Sequence, residues 1–191
     1  MNLQYRWTLG LLILVGLSVV GCNRPATLAE TEGAVPTAVT VEEEGHLSDP
    51  SSERPPAPDF TLETLAGETV QLQDYAGEIM LLNFWASWCP PCKAEMPDMQ
   101  RYYEAYRDEG FVILGINAGE EQGTVENFVA DYDITFPVAI DSTQQVMGEY
   151  GVTGLPSSFF VDREGRILGY WPGVLTFDML EERLTPILET E

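Results

Sequence analysis

Histidine is nearly absent from this chain: His46 is the only one, and Lys93 is the only lysine. Cysteine is scarce too, limited to Cys22, Cys89 and Cys92. A structural zinc site needs four ligands. A knuckle built on Cys89 and Cys92 would have to reach for Cys22 and His46, both far upstream in poorly patterned sequence, so no metal site is expected. Positive charge is equally short, with 9 basic residues against 31 acidic ones and a net charge of −22. A nucleic-acid surface needs a basic face, and charge-driven docking on anionic lipid needs basic clusters; neither is expected. The acidity reads as solubility or adaptation to a saline habitat. Long apolar runs are missing as well. The longest, Trp7–Val20, stops at 14 residues, short of the roughly 20 needed to span a bilayer. What remains is 191 residues with 45% hydrophobic content, enough for one domain plus appendages.

The appendages come first. Met1–Arg6 carries one positive charge, the apolar run follows, and Val19-Val20-Gly21-Cys22 closes it. This is the layout of a secretory signal peptide, and the small residue before Cys22 resembles a bacterial lipobox, in which that Cys becomes the lipidated N-terminus. The alternative is an uncleaved N-terminal helix; either places residues 1–22 at a membrane and the rest outside the cytoplasm. Residues 23–56 are rich in Ala, Thr, Pro, Ser and Glu, contain no aromatic residue and show no sustained period, as expected of a solvated acidic linker. His46 lies there with no possible metal-site companions nearby.

From Ala57 onward the pattern is that of a folded domain, residues 57–191. Ala57–Leu65 and Thr69–Leu72 flank a turn at Ala66-Gly67-Glu68 and read as a hairpin. Ile79–Trp85 and Phe111–Asn117 are continuous apolar runs, as of buried strands. Between them a helix is expected to run from the cysteines to about Glu109, with Met96, Met99, Tyr103 and Tyr106 on its apolar face, a kink at Pro97 and a stop at Gly110. Further helices are expected over Gly123–Tyr132, Gln144–Tyr150 and Thr176–Leu188, the last capped by Thr176, and strands over Phe136–Asp141, Ser157–Val161 and Arg166–Trp171. Strands alternating with helices give an α/β fold with parallel crossovers.

The chemistry sits where the first buried run ends. Phe84-Trp85-Ala86-Ser87-Trp88-Cys89-Pro90-Pro91-Cys92-Lys93 passes from strand to helix, and prolines suit a first helical turn, whose N–H groups lack intrahelical partners anyway. Cys89 therefore falls at a helix N-terminus, where free N–H groups and the macrodipole favour a thiolate. Cys92, one turn on, is close enough to close a short disulfide. The two thiols form a reversible dithiol/disulfide couple that needs no other cofactor.

This segment resembles the active site of the thioredoxin superfamily, and Cys92-Lys93-Ala94-Glu95-Met96-Pro97 resembles its TlpA/ResA branch, membrane-anchored extracytoplasmic thiol–disulfide oxidoreductases. The resemblance implies a thioredoxin fold with an added N-terminal β-hairpin and a central mixed sheet flanked by helices. It further implies that Leu155-Pro156 is the cis-proline loop beside the disulfide and part of the substrate-binding edge, together with Trp88. Glu95 matches a functional acidic position of the family, which would raise thiol pKa values and relay a proton to Cys92. Asn83 departs from general-purpose thioredoxins, which carry a buried Asp there. Pro90 and Pro91 would tune the potential and Lys93 would favour the Cys89 thiolate; a solvated lysine is the alternative.

The implied activity is reduction of protein disulfides, including those of apocytochromes c, with re-reduction by a membrane thiol donor. Two alternatives share the fold. A peroxiredoxin-like peroxidase needs Thr or Ser three residues before its cysteine, where Ala86 stands. A copper or haem chaperone pairs its cysteines with a His, or a Met, of the domain, and residues 57–191 contain no His.

Overall fold

The structure, a computed structural model, describes residues 54–190. The expected signal segment, Cys22 and nearly all of the expected linker lie outside the described residues. Seven strands follow one another as β1 (Thr61–Thr64), β2 (Thr69–Gln71), β3 (Ile79–Trp85), β4 (Phe111–Asn117), β5 (Val138–Ile140), β6 (Ser157–Val161) and β7 (Ile167–Pro172). The helices are α1 (Pro90–Tyr106), α2 (Gln122–Asp131), α3 (Gln145–Glu149), α4 (Phe177–Arg183) and α5 (Thr185–Thr190). Among the described residues no helix is long and apolar enough to cross a membrane.

Both apolar runs form central strands. β3 and β4 are buried along their whole length and pair in parallel, Ile79 opposite Phe111 and Trp85 opposite Asn117. A parallel pair requires a crossover, and α1 supplies it. The sheet order is β2-β1-β5-β4-β3-β6-β7, with β3, β4 and β5 parallel and the other pairings antiparallel. This is the expected mixed sheet with its added hairpin.

Period-two alternation sends β3 into two cores. Ile79, Leu81 and Trp85 pack with Met96, Met99, Phe128, Leu180 and Leu188 beneath α1, α2, α4 and α5. Met80, Leu82 and Phe84 pack on the other face with Phe60, Leu62, Val146, Tyr150 and Phe159. Each large side chain withdrawn from water here contributes about 1.5–3 kcal/mol, so the strand that leads into Cys89 is held from both sides.

The structure refines one expected helix and corrects another. Tyr103 and Tyr106 pack half-buried against the core, as expected of the apolar face of α1, and Tyr102, which the pattern did not single out, is fully buried. Residues 95, 99 and 102 and residues 96, 99 and 103 both fit a 3.6-residue period, and the sheet settles which stripe faces inward. The expected single C-terminal helix is two, α4 and α5, interrupted at Leu184. Pro186 explains the break, because it lacks an N–H and its ring opposes the preceding turn, whereas a first turn accommodates it. The helix α1 runs on through Pro97 into a short 3-10 turn and ends at Gly110, whose φ of 81° is left-handed, as a C-terminal glycine allows.

Arg54–Pro56, expected as the end of the linker, are attached to the domain. Arg54 meets Asp162 at 3.1 Å, the Ile167 N–H donates to the Pro55 carbonyl at 2.9 Å, and Pro56 bridges Arg166. The attachment lies on the β6–β7 turn, at the end of the sheet where β3 begins.

Candidate functional site: a buried disulfide between two carboxylates

At the other end of β3 the chain turns through Ala86–Trp88 and enters α1. Cys89 is the N-cap, with extended backbone, and Pro90 and Pro91 occupy the first helical positions, both exposed. No acidic residue lies in that first turn, and the Cys89 sulfur takes the acceptor's place: it receives the Cys92 N–H at 3.3 Å. Cap positions ordinarily hold an oxygen acceptor for such an N–H; here a sulfur does the capping. Cys89 and Cys92 are joined as a disulfide with Cα atoms 5.3 Å apart. Cys89 keeps 3% of its surface and Cys92 none, so an external partner can reach only the outer sulfur.

Behind the pair, Glu95 is wholly buried. Its Oε1 accepts from the Asn83 amide at 2.8 Å and its Oε2 from the Leu175 N–H at 2.9 Å. Asn83 also donates to the Ser158 hydroxyl at 3.0 Å. Burial pushes the Glu95 carboxyl up to about 7 from 4.5, against the lowering effect of those two hydrogen bonds. Desolvation penalises the charged form more than two donors restore. The carboxylate is thus fully buried, on the same inward side of α1 as Cys92. The amide at position 83 is a donor to that carboxylate.

Leu155-Pro156 is a cis peptide. Antiparallel pairing of β6 with β3 sets Ser157 opposite Phe84, which brings Pro156 to the end of β3 that feeds the cysteines. The Pro156 carbonyl accepts the Gly173 N–H at 2.9 Å and the Ser157 hydroxyl donates to the Gly154 carbonyl at 2.8 Å, so the loop is braced from both flanks. Trp88, at 67% exposure, is the one exposed large hydrophobic among the described residues. Trp85 is core, its ring tilted at 34° to Phe128 with centroids 4.6 Å apart. Lys93 is exposed on α1.

Sequence reasoning missed a second carboxylate, bonded to the turn that leads into the pair. Glu120 follows β4 and accepts from the Ser87 N–H at 2.6 Å, the Ser87 hydroxyl at 2.5 Å and the Asn117 amide at 2.8 Å. Burial pushes its carboxyl up, yet these hydrogen bonds and the Lys93 charge outweigh it, and the net shift is downward. A clue was present: polar residues at the carboxyl ends of two parallel strands, where α/β sheets gather their sites. Ser158 and Leu175 left no comparable signal. Among the described residues no group of three or more His, Cys, Asp or Glu side chains is placed to hold a metal ion.

Comparison with known proteins agrees with this geometry. Residues 54–169 match the AhpC/TSA family. The chain is 41% identical over 131 residues to the thiol-disulfide oxidoreductase ResA of Bacillus thuringiensis subsp. konkukian, covering 69% of this chain and 76% of ResA. Among solved structures, the thiol:disulfide interchange protein DsbE of Chlorobium tepidum superposes with a TM-score of 0.67 at 35% identity, over 72% of this chain and 98% of that one. StoA of Bacillus subtilis does so with a TM-score of 0.59 at 32% identity, over 66% and 96%.

Proposed function

Because the chain belongs to the AhpC/TSA family and is a thiol–disulfide oxidoreductase of the ResA, DsbE and StoA type, we propose that its Cys89–Cys92 couple reduces protein disulfides outside the cytoplasm. In the reduced protein the Cys89 thiolate attacks one sulfur of a substrate disulfide. A mixed disulfide forms, and the departing substrate sulfur leaves as a thiolate and takes a proton. Cys92 then loses its proton and attacks the Cys89 sulfur, which closes the internal disulfide and frees the second substrate thiol. Two electrons pass to the substrate, and the protein is left oxidised until a membrane thiol donor restores it.

Glu95 is the proposed acceptor of the Cys92 proton, since a carboxyl near neutrality can both take and return one. Trp88, Leu155 and Pro156 are the proposed docking residues, Pro90 and Pro91 set the potential, and Lys93, exposed on α1, is a solvated neighbour that aids the thiolate only slightly. The N-terminal segment with Cys22 would tether the domain at the outer face of a membrane, and apocytochromes c are the proposed substrates. The observation that carries the reading is the asymmetric burial of the pair, one sulfur reachable and one sealed beside a buried carboxyl. Reduction of insulin and of an apocytochrome-derived C-x-x-C-H peptide should proceed with wild type and vanish with Cys89→Ser; equal rates would overturn it. Rapid peroxide consumption by the reduced protein would point to peroxidase chemistry instead.

A further inference from the structure

The polar cluster at the end of β4 takes no part in the dithiol chemistry, yet it is built onto the turn that carries Cys89. Asn117 is wholly buried there, in register with Trp85 at the end of β3. Its Oδ1 accepts the Glu120 N–H at 2.9 Å and its Nδ2 donates to the Glu120 carboxylate at 2.8 Å, so the two residues lock one another. Gly119 makes the turn possible. It has φ of 82°, and a Cβ would stand 2.9 Å from the Asp141 carbonyl oxygen. The carboxylate so fixed spends its other acceptor sites on Ser87, through both backbone N–H and hydroxyl. Ser87 directly precedes Trp88, whose indole stands in solvent, and is two residues from Cys89.

We propose that Glu120 is a positioning residue that holds the Ser87–Trp88 turn rigid, so that the Trp88 indole and the Cys89 sulfur form one preorganised face for a polypeptide disulfide. This rests on the reading that Cys89 reduces protein disulfides. An exposed indole on an unanchored turn would have to be ordered at each encounter, and that loss comes out of affinity. A charge-assisted triple acceptor removes the loss beforehand, because such bonds are about twice as strong as neutral ones. The benefit falls only on substrates that touch the indole. A small disulfide reagent, which needs only the sulfur, gains nothing.

The test is a pair of substrates on the reduced full chain: insulin and a small aromatic disulfide, with wild type, Cys89→Ser, Glu120→Ala, Trp88→Ala and the Glu120→Ala/Trp88→Ala double variant. Glu120→Ala should raise KM for insulin roughly tenfold and leave both kcat for insulin and the rate with the small disulfide unchanged. The double variant should be no worse on insulin than Trp88→Ala alone, since the anchor has nothing left to present. Glu120→Gln, which keeps one acceptor oxygen, should fall between. Equal losses on both substrates, no change, or additive losses in the double variant would each overturn the proposal. Should Glu120→Ala lose its cooperative unfolding transition, Ser87→Ala replaces it in the same cycle with the same expected pattern at smaller size. If wild type itself reduces the small disulfide but not insulin, it is the protein-disulfide reading that fails.

Discussion

Two glutamates flank the disulfide, and their surroundings give them opposite characters. Glu95, behind Cys92, is sealed in the core with two donors, and burial drives its carboxyl up to about 7. Glu120, bonded to the turn before Cys89, is half-buried with three donors and the Lys93 charge nearby, and its carboxyl is driven down. The same side chain is therefore suited to carry a proton on one side and to stay charged as a clamp on the other. Desolvation raises both; the donor count and the access of water decide which sign survives.

The comparison breaks first, and most visibly, at Glu95. Glu95→Gln preserves shape and keeps an acceptor for the Leu175 N–H but cannot carry a proton. Loss of general acid–base assistance should slow insulin reduction roughly 100-fold near neutrality and erase the limb of the rate profile close to pH 7. Stability supplies an independent reading. An acid whose value is raised on folding binds its proton more tightly in the folded state. Its stabilising share is therefore complete below about pH 4.5 and falls as pH climbs toward about 7, by on the order of 3 kcal/mol. Urea unfolding of the oxidised protein between pH 4 and 8 should show that decline in wild type and a flatter line in Glu95→Gln. A flat wild-type line would mean that Glu95 is no proton carrier.

Next in size is Asn83→Ala. It removes the amide that donates to both Glu95 and Ser158, and leaves buried acceptors short of a partner at a cost of about 1–3 kcal/mol. With one of two lowering contacts gone, the Glu95 value should rise further, and the upper limb of the rate profile should move to higher pH. A limb that stays in place would sever the amide from the proton step.

The part of this site that was legible in the sequence is the part written contiguously. Cys89, Cys92 and Glu95 lie at three-residue steps from the cap of one helix into it, and the strand before them is an apolar run broken only by Asn83. Their mutual placement follows from 3.6-residue geometry alone. The turns of the partner chain segments were not legible. Ser87 meets Glu120 across 33 residues, Asn83 meets Ser158 across 75, and Glu95 meets Leu175 across 80. Such pairs exist only once strand register is set, and no local pattern announces them. The C-terminal break differs in kind. Pro186 was in plain view, but one proline near a helix end fits either a frayed terminus or the first turn of another helix, and packing against α1 selects the second. There the Tyr102 hydroxyl meets the Thr185 hydroxyl at 3.1 Å and Leu188 joins the core beneath α1.

A smaller effect is expected from acid on the Glu120 side, and its sign is reversed. A carboxyl lowered on folding stabilises above the ordinary glutamate range and loses that share as pH falls through its lowered value. Glu120→Gln should therefore cost about 1 kcal/mol at pH 7, given its partial exposure, and less as the pH approaches 3. Equal cost at both ends would mean that the clamp works by shape rather than charge.

The smallest change should come from Lys93→Gln. The lysine is the only one in the chain, and it adjoins Cys92, which invites the idea that it holds the Cys89 thiolate. Its side chain is exposed, however, and an exposed pair contributes about 0–1 kcal/mol. The Cys89 sulfur already has a fixed donor in the Cys92 N–H and the open end of α1 beneath it, neither of which depends on Lys93. The rate of alkylation of the Cys89 thiol in a Cys92→Ser background should therefore shift by less than about fivefold on removing the lysine. A larger shift would show that a mobile surface charge outweighs the helix terminus. The contrast between the two glutamates would then need a third charge to explain how the outer sulfur is kept reactive.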